Sequence, residues 1–230
     1  MDFRDRHVVV TGGAGALGTA VVAALVEAGA RCHVPCFDEA EAKRFGLRDH
    51  QQVTVTVAGN LADAAAVDRA YQGIAPLWAS IHIAGGFAFG PLREADIATI
   101  RQQIDMNLLS CLLCCRAAVA AMTGGGRIVN VSARAGLEWR TGANMAAYTA
   151  SKAGVAALTA ALAEEVAEDG VLVNAVAPSI MDTPANRQAM PNADFALWPK
   201  VEDVAATILF LASPDNRVTR GAVVPVYGKS

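Results

Sequence analysis

The chain has 230 residues, 53% of them hydrophobic and 18% charged, with a formal net charge of −3 from 19 Lys and Arg against 22 Asp and Glu. That length suits one large α/β domain or two small ones, and the charge balance offers no basic face for nucleic acid or an anionic membrane. The charged opening Met1 to His7 is not a signal peptide, and every apolar run of spanning length is broken by Gly, Pro or charge, so no membrane contact and a cytoplasmic location are expected.

The elements alternate along the chain. The apolar run from His7 to Thr11 reads as a first strand, Leu17 to Ala28 as a helix, and Gly29 as its cap. Strands are expected at Arg31 to Cys36, Gln52 to Val57 and Ala79 to Ala84. A long helix, with room for a bend, is expected from Ile97 to Met122, and Gly124 to Gly126 break it. Arg127 to Ser132 is the fifth strand, Ala147 to Glu168 an Ala-rich helix, and Val171 to Val176 the sixth strand. A helix from Val201 to Ala212 and a strand from Ala222 to Tyr227 close the chain. Strand–helix alternation without linker, repeat or low-complexity tract implies a doubly wound parallel sheet in a single α/β domain, 1–230.

The five cysteines are Cys32, Cys36, Cys111, Cys114 and Cys115. An odd count without a secretion signal argues against a disulfide framework. Cys111 and Cys114 have CxxC spacing, but they lie in an apolar helical run without a second ligand pair and read as small core residues. His7, His33, His50 and His82 are scattered, and no metal site is expected.

Two motifs carry chemistry. Thr11-Gly-Gly-Ala-Gly-Ala-Leu-Gly18 places Gly13, Gly15 and Gly18 in a G-x-G-x-x-G pattern between a strand and an amphipathic helix. There the backbone approaches a pyrophosphate and helix N–H groups face the anion. No Lys-Ser or Lys-Thr follows, which argues against a phosphate-hydrolysing loop. In the later helix Tyr148 and Lys152 stand one turn apart on one face. A cation beside a phenol favours the phenolate and lowers its pKa toward neutrality. Alone, the pair would read as an ordinary half-buried Tyr and a solvated Lys. With the glycine turn, it reads as the proton donor of a redox enzyme.

Taken together these pieces resemble the short-chain dehydrogenase/reductase family over nearly the whole chain. The resemblance implies a Rossmann-type fold, NAD or NADP as cofactor, a small-molecule substrate and a homodimer or homotetramer. It implies hydride transfer between nicotinamide and a carbonyl, an alcohol or a quinonoid imine. Tyr148 is then the proton donor, Lys152 its activator and ribose anchor, and Asn107 the residue that orders a relay water. It implies cofactor contacts from Gly12, Gly13, Gly15, Leu17, Gly18, Cys36, Phe37, Asn60, Leu61, Ala84, Gly85, Tyr148, Lys152, Pro178, Met181 and Thr183. Residues 184–199 take the place of a substrate lid, the alternative being a cap over the domain edge.

The chain departs from the family pattern in several places. Ala16 replaces a glycine, whose methyl is expected to crowd the turn. His82-Ile-Ala-Gly85 replaces Asn-Asn-Ala-Gly, and Ser179 replaces a glycine. Ala133 falls where the family has its active-site serine, while Ser132 should point to the other side of the strand. Losing such a donor can cost roughly 10²–10³ in rate. Either Thr141, Asn144 or Ser179 substitutes, or the substrate needs no donor. Quinonoid dihydropteridine reductases lack this serine, and Ala133-Arg-Ala-Gly-Leu137 and Asp182 to Trp198 are similar to theirs. The opposing reading is a cofactor-binding regulatory or scaffold protein that has lost catalysis. At the end of the second strand Cys36 and Phe37 hold no ribose ligand. Asp38 or Glu39 would serve NAD, Lys43 or Arg44 would serve NADP, or this stretch is a solvated helix start.

Overall fold

The computed structural model describes all 230 residues. Seven parallel strands form one sheet in the order β3-β2-β1-β4-β5-β6-β7. They are β1 His7–Thr11, β2 Arg31–Cys36, β3 Val53–Val57, β4 Leu77–His82, β5 Gly126–Val131, β6 Val171–Pro178 and β7 Val223–Val226. Strand order reverses between β1 and β4, which opens a crevice beyond their carboxyl ends.

The helices are α1 Ala16–Glu27, α2 Glu39–Arg44, α3 Ala64–Tyr71, α4 Ile97–Ile104, α5 Ser110–Ala121, α6 Arg134–Leu137, α7 Ala146–Glu165, α8 Pro184–Ala189 and α9 Val201–Ala212. Each sheet face is covered. On one side Leu17, Val21 and Leu25 of α1 meet Val204, Ile208 and Leu211 of α9 over Val8, Val10 and Ile81. On the other, Val67 and Tyr71 of α3, Cys111 to Ala118 of α5 and Val155 and Ala163 of α7 pack on Val9, Ile128 and Val173. Strands buried on both faces explain their continuous Val and Ile runs.

Local chemistry sets the boundaries. Gly29 at φ +91° ends α1, its N–H donating to the Val26 carbonyl. Asp38, Asp63 and Asp96 accept from N–H groups in the first turns of α2, α3 and α4. Apolar periodicity missed α2 and α3, because one is six residues long and exposed and the other eight. β4 ends two residues earlier than expected. After His82 the chain crosses beneath the glycine turn, where Ile83 N–H and Ala84 N–H donate to the Thr11 carbonyl and hydroxyl at 3.2 Å each. The long helix is continuous from Ile97 to Ala121 but is interrupted by a π turn, Asp105–Leu109, between α4 and α5. The whole 97–121 run is long and apolar enough to cross a membrane, yet Cys111, Cys114, Cys115 and Ala118 are buried in the core against the sheet. Gly154 in α7 permits its close approach, since a Cβ there would lie 2.8 Å from Leu108.

At the amino ends of β1 and β2, His7 Nδ1 and His33 Nε2 lie 2.8 Å apart with their rings stacked. One proton serves both nitrogens, so the pair resists a second. Burial first, then the His7 charge, pushes His33 from 6.5 down to about 4. The folded state therefore binds fewer protons than the unfolded one between these values, and stability is full above pH 6.5 and lost as pH falls toward 4. Thermal unfolding monitored by circular dichroism should show a falling Tm across that window, and His33→Gln should flatten the fall. An unchanged slope in the variant would assign the acid sensitivity elsewhere.

Candidate active site

The glycine turn is shaped by contacts that no side chain fits. Gly12 sits at φ +65°, and a Cβ there would lie 2.7 Å from the Ala84 nitrogen. At Gly18 a Cβ would lie 2.1 Å from the Gly12 carbonyl oxygen, so helix α1 packs directly on the turn. Gly15 is exposed and precedes the first turn of α1, leaving free N–H groups at the mouth of the crevice. Ala16 opens the helix and is exposed, so its methyl does not crowd the turn as expected. Beside this turn Gly85 is also exposed, and a Cβ there would reach within 2.5 Å of Asn107 Oδ1 and 3.4 Å of Lys152 Nζ. Together these positions form a bare-backbone cradle at the switch point of the sheet, the surface that a dinucleotide requires.

Three of the expected site residues converge on that cradle. Lys152 is buried, and its Nζ donates to the Val131 carbonyl at 2.8 Å. Burial pulls its pKa down to about 8, although the nearby Cys111 works the other way. Tyr148 is half-buried and packs edge-on against Phe87 at 5.1 Å between ring centres. Asn107 enters from the π turn. Its Oδ1 accepts from Gly86 N–H at 2.9 Å, and its Nδ2 donates to the Gly86 and Gln103 carbonyls at 3.0 Å each. The amide is thus committed to shaping the 85–86 turn, and any water it orders must lie at its main chain.

One expectation is corrected outright. Tyr148 is not acidified in this state: burial pushes its pKa up to about 12. The ammonium of Lys152 is turned to Val131 instead of the phenol. Sequence spacing placed both groups on one helical face but could not show where the lysine end points.

Around Ala133 the picture is also specific. Ala133 is extended, buried and precedes α6. Ser132 Oγ donates to the Lys152 carbonyl at 2.8 Å, so it faces away from the reaction side as expected and tethers α7. Thr141 gives its hydroxyl to the Glu138 carbonyl, and Ser179 gives its own toward Tyr227 and Ser230. Of the three substitutes only Asn144, exposed at φ +60°, keeps its side-chain amide free of protein partners.

The remaining expected cofactor residues lie at or just beyond the carboxyl ends of the strands. Leu17, Leu61 and Pro178 are buried, and Met181 is half-buried. Asn60 Oδ1 accepts from Ala62 N–H in a turn, while Thr183 Oγ1 caps α8. At the end of β2 Cys36 is buried and Phe37 exposed. Asp38 caps α2, and Glu41, which the sequence reading passed over, folds back to accept the Phe37 N–H. Burial first, then the charges of Glu41 and Asp38, push the Cys36 thiol up to about 11. This end of the cradle is therefore negative. Residues 184–199 hold α8 and a short turn whose Trp198 is buried, with Leu197 accepting from Lys229 N–H.

Comparison with known proteins agrees with this fold. A family model described as short chain dehydrogenase matches residues 6–194. Cis-4-hydroxycyclohexanecarboxylate dehydrogenase of Sinomonas cyclohexanicum is 36% identical over 98% of this chain and 96% of its own. Galactitol 2-dehydrogenase of Rhizobium johnstonii is 34% identical over 96% of this chain and 93% of its own. Among solved structures, an oxidoreductase of the short-chain dehydrogenase/reductase family from Burkholderia thailandensis superposes with a TM-score of 0.87 at 30% identity, covering 97% and 92% of the two chains.

The cradle is tested most directly at Gly18. Gly18→Ala should lower stability by about 1–3 kcal/mol, because backbone on both sides must shift, and should abolish dinucleotide binding in calorimetric titration. Gly124→Ala, at a position with open space around it, is the control. Full binding by the Gly18 variant would contradict the assignment of the cradle.

Proposed function

The chain belongs to the short-chain dehydrogenases, oxidoreductases that use NAD or NADP, and on that premise we propose that it interconverts a secondary alcohol and its ketone on an apolar, ring-bearing small molecule. The observation that carries this reading is the convergence of Lys152, Asn107 and Gly85 beside Tyr148 at the switch point. Bound in the cradle, the nicotinamide supplies hydride transfer to or from the alcohol carbon.

The chain's own groups supply the rest. Tyr148 exchanges the proton of the substrate oxygen. With a pKa of about 12 it is too weak an acid to do so near neutrality unless a positive field reaches it. Lys152 has three N–H donors, and Val131 takes one. The other two serve the cofactor ribose and the phenol, and in that state the phenol pKa falls. Asn107 fixes the 85–86 turn through its side-chain amide, and its main-chain carbonyl, carried on the π turn, is the group that would order a proton-relay water. Gly12, Gly13, Gly15, Leu17 and Gly18 hold the pyrophosphate, Asn60 and Leu61 flank the adenine, and Ala84, Pro178, Met181 and Thr183 flank the nicotinamide. Ala133 offers no donor to the substrate oxygen, and Asn144 is the residue best placed to take that part.

Phe87, Phe89 and Ile180 are exposed at the carboxyl end of the sheet, a rim suited to an apolar ring. The relative from Sinomonas cyclohexanicum is named for a substrate with a ring hydroxyl. Residues 184–199 act as the lid over this rim, hinged on buried Trp198. The exposed small residues Ala150, Ala157 and Ala160 of α7, with Leu112 of α5, support a homodimer or homotetramer.

The test is a turnover screen of substituted cyclohexanols and cyclohexanones with both cofactors. Tyr148→Phe should abolish turnover and leave NAD affinity intact, whereas Lys152→Ala should impair both. Wild-type kcat in the Tyr148 variant would overturn the mechanism. Binding of NAD without turnover of any alcohol, ketone or quinonoid dihydropterin would favour the scaffold reading, for which the missing serine argues.

Cofactor choice follows from Glu41 and Asp38. The 2′-phosphate of NADP would meet both carboxylates at Cys36, so kcat/KM should favour NAD. Glu41→Gln should narrow that preference at least several-fold. A wild-type preference for NADP would contradict the electrostatic reading.

A further inference from the structure

Behind the active site, between α5 and the sheet, four buried side-chain atoms draw together. His82 Nδ1 lies 2.8 Å from Asn130 Oδ1 and 3.5 Å from Cys115 Sγ. Cys111 Sγ and Cys115 Sγ lie 3.3 and 3.6 Å from the same amide oxygen. The ligand atoms of His82, Cys111 and Cys115 all fall within 4.8 Å of one another. A tetrahedral zinc with N and O ligands at about 2.0–2.2 Å and S ligands at about 2.3 Å sets its ligand atoms about 3.3–3.8 Å apart. The cage here has nearly that size before any ion enters. Cys111 and Cys115 meet because they are four apart on one helix, so the CxxC spacing of Cys111 and Cys114 was the wrong pair to weigh.

We propose that His82, Cys111, Cys115 and Asn130 form a structural zinc site. The surroundings orient each ligand. Thr159 Oγ1 accepts from Asn130 Nδ2 at 3.0 Å, which turns Oδ1 toward the thiols. Ser80 Oγ lies 2.8 Å from His82 Nε2 and accepts its proton in the tautomer that leaves the Nδ1 lone pair for the metal. Binding releases two thiol protons to solvent and forms two Zn–S bonds, one Zn–N bond and one Zn–O bond. Two thiolates, a neutral imidazole and an amide then surround a divalent ion with zero net charge, which suits a dry core. All four residues are buried, so the ion enters as the chain folds.

Elemental analysis of the whole protein, produced with zinc present and dialysed against a chelator, should find about one zinc per chain. Refolding with Co²⁺ should produce a thiolate-to-cobalt charge-transfer absorption and tetrahedral d–d bands. Cys111→Ser and Cys115→Ser should each lose both signals, while Cys32→Ser on β2 keeps them. Trace zinc in the wild type together with no cobalt spectrum would overturn the site and leave a hydrogen-bonded polar core, and that result decides the matter even if a variant fails to fold. Metal retained in Cys115→Ser but lost in Cys32→Ser would equally overturn it.

Discussion

The site depends on a reciprocal pair of hydrogen bonds that clamps α7 to β5 through a single residue. Lys152 donates from Nζ to the Val131 carbonyl and accepts at its own carbonyl from Ser132 Oγ, both at 2.8 Å. Gly136 leaves room for the second bond, since a Cβ there would lie 2.7 Å from Ser132 Oγ. This clamp is costly. A buried lysine held at about 8 instead of 10.5 destabilises the fold by about 3 kcal/mol at neutral pH. Because its folded pKa is the lower one, that cost persists below about pH 8 and fades as pH rises toward 10.5. A fold keeps such a group where its charge has a task, and the proposed function gives it one beside Tyr148.

From the clamp the rest of the site follows in order. With α7 fixed, Gly85 must lie bare beneath Lys152 and Asn107. The π turn rotates Asn107 inward, and its amide then fixes Gly86. Phe87 is thereby laid against Tyr148, and Gly90 N–H is tied to the Asn144 carbonyl across the opening. The packing that sets Asn107 and Gly86 also sets the Phe87 rim beside Tyr148, and Ala133 contributes no polar group there.

Much of this was legible in the residues. Val8 to Val10, Val171 to Val173 and the glycine turn mark strands and cradle directly, because strand burial and bare backbone leave a compositional trace. β2 and α9 fall on their expected bounds. What was not legible depends on side-chain direction in three dimensions. Asp38 was weighed as a ribose ligand, yet it caps α2, and Glu41 one turn later faces the crevice edge instead. The Tyr148–Lys152 spacing was read as an already acidified phenol, whereas burial and the Val131 carbonyl keep the two groups uncoupled. His82 and Asn130 sit on neighbouring strands, so their meeting with Cys111 and Cys115 leaves no local signature.

The central proposal is that Lys152 is tied to the Val131 carbonyl in the free protein and activates Tyr148 only when the dinucleotide is bound. Carbon-labelled tyrosine NMR, assigned by difference from Tyr148→Phe and followed against pH with and without saturating NAD, tests this most directly. The account predicts a Tyr148 phenol that stays protonated through the whole stable pH range of the free protein and ionises in the neutral to mildly alkaline range once NAD is bound. An ionisation that is the same with and without NAD would contradict it.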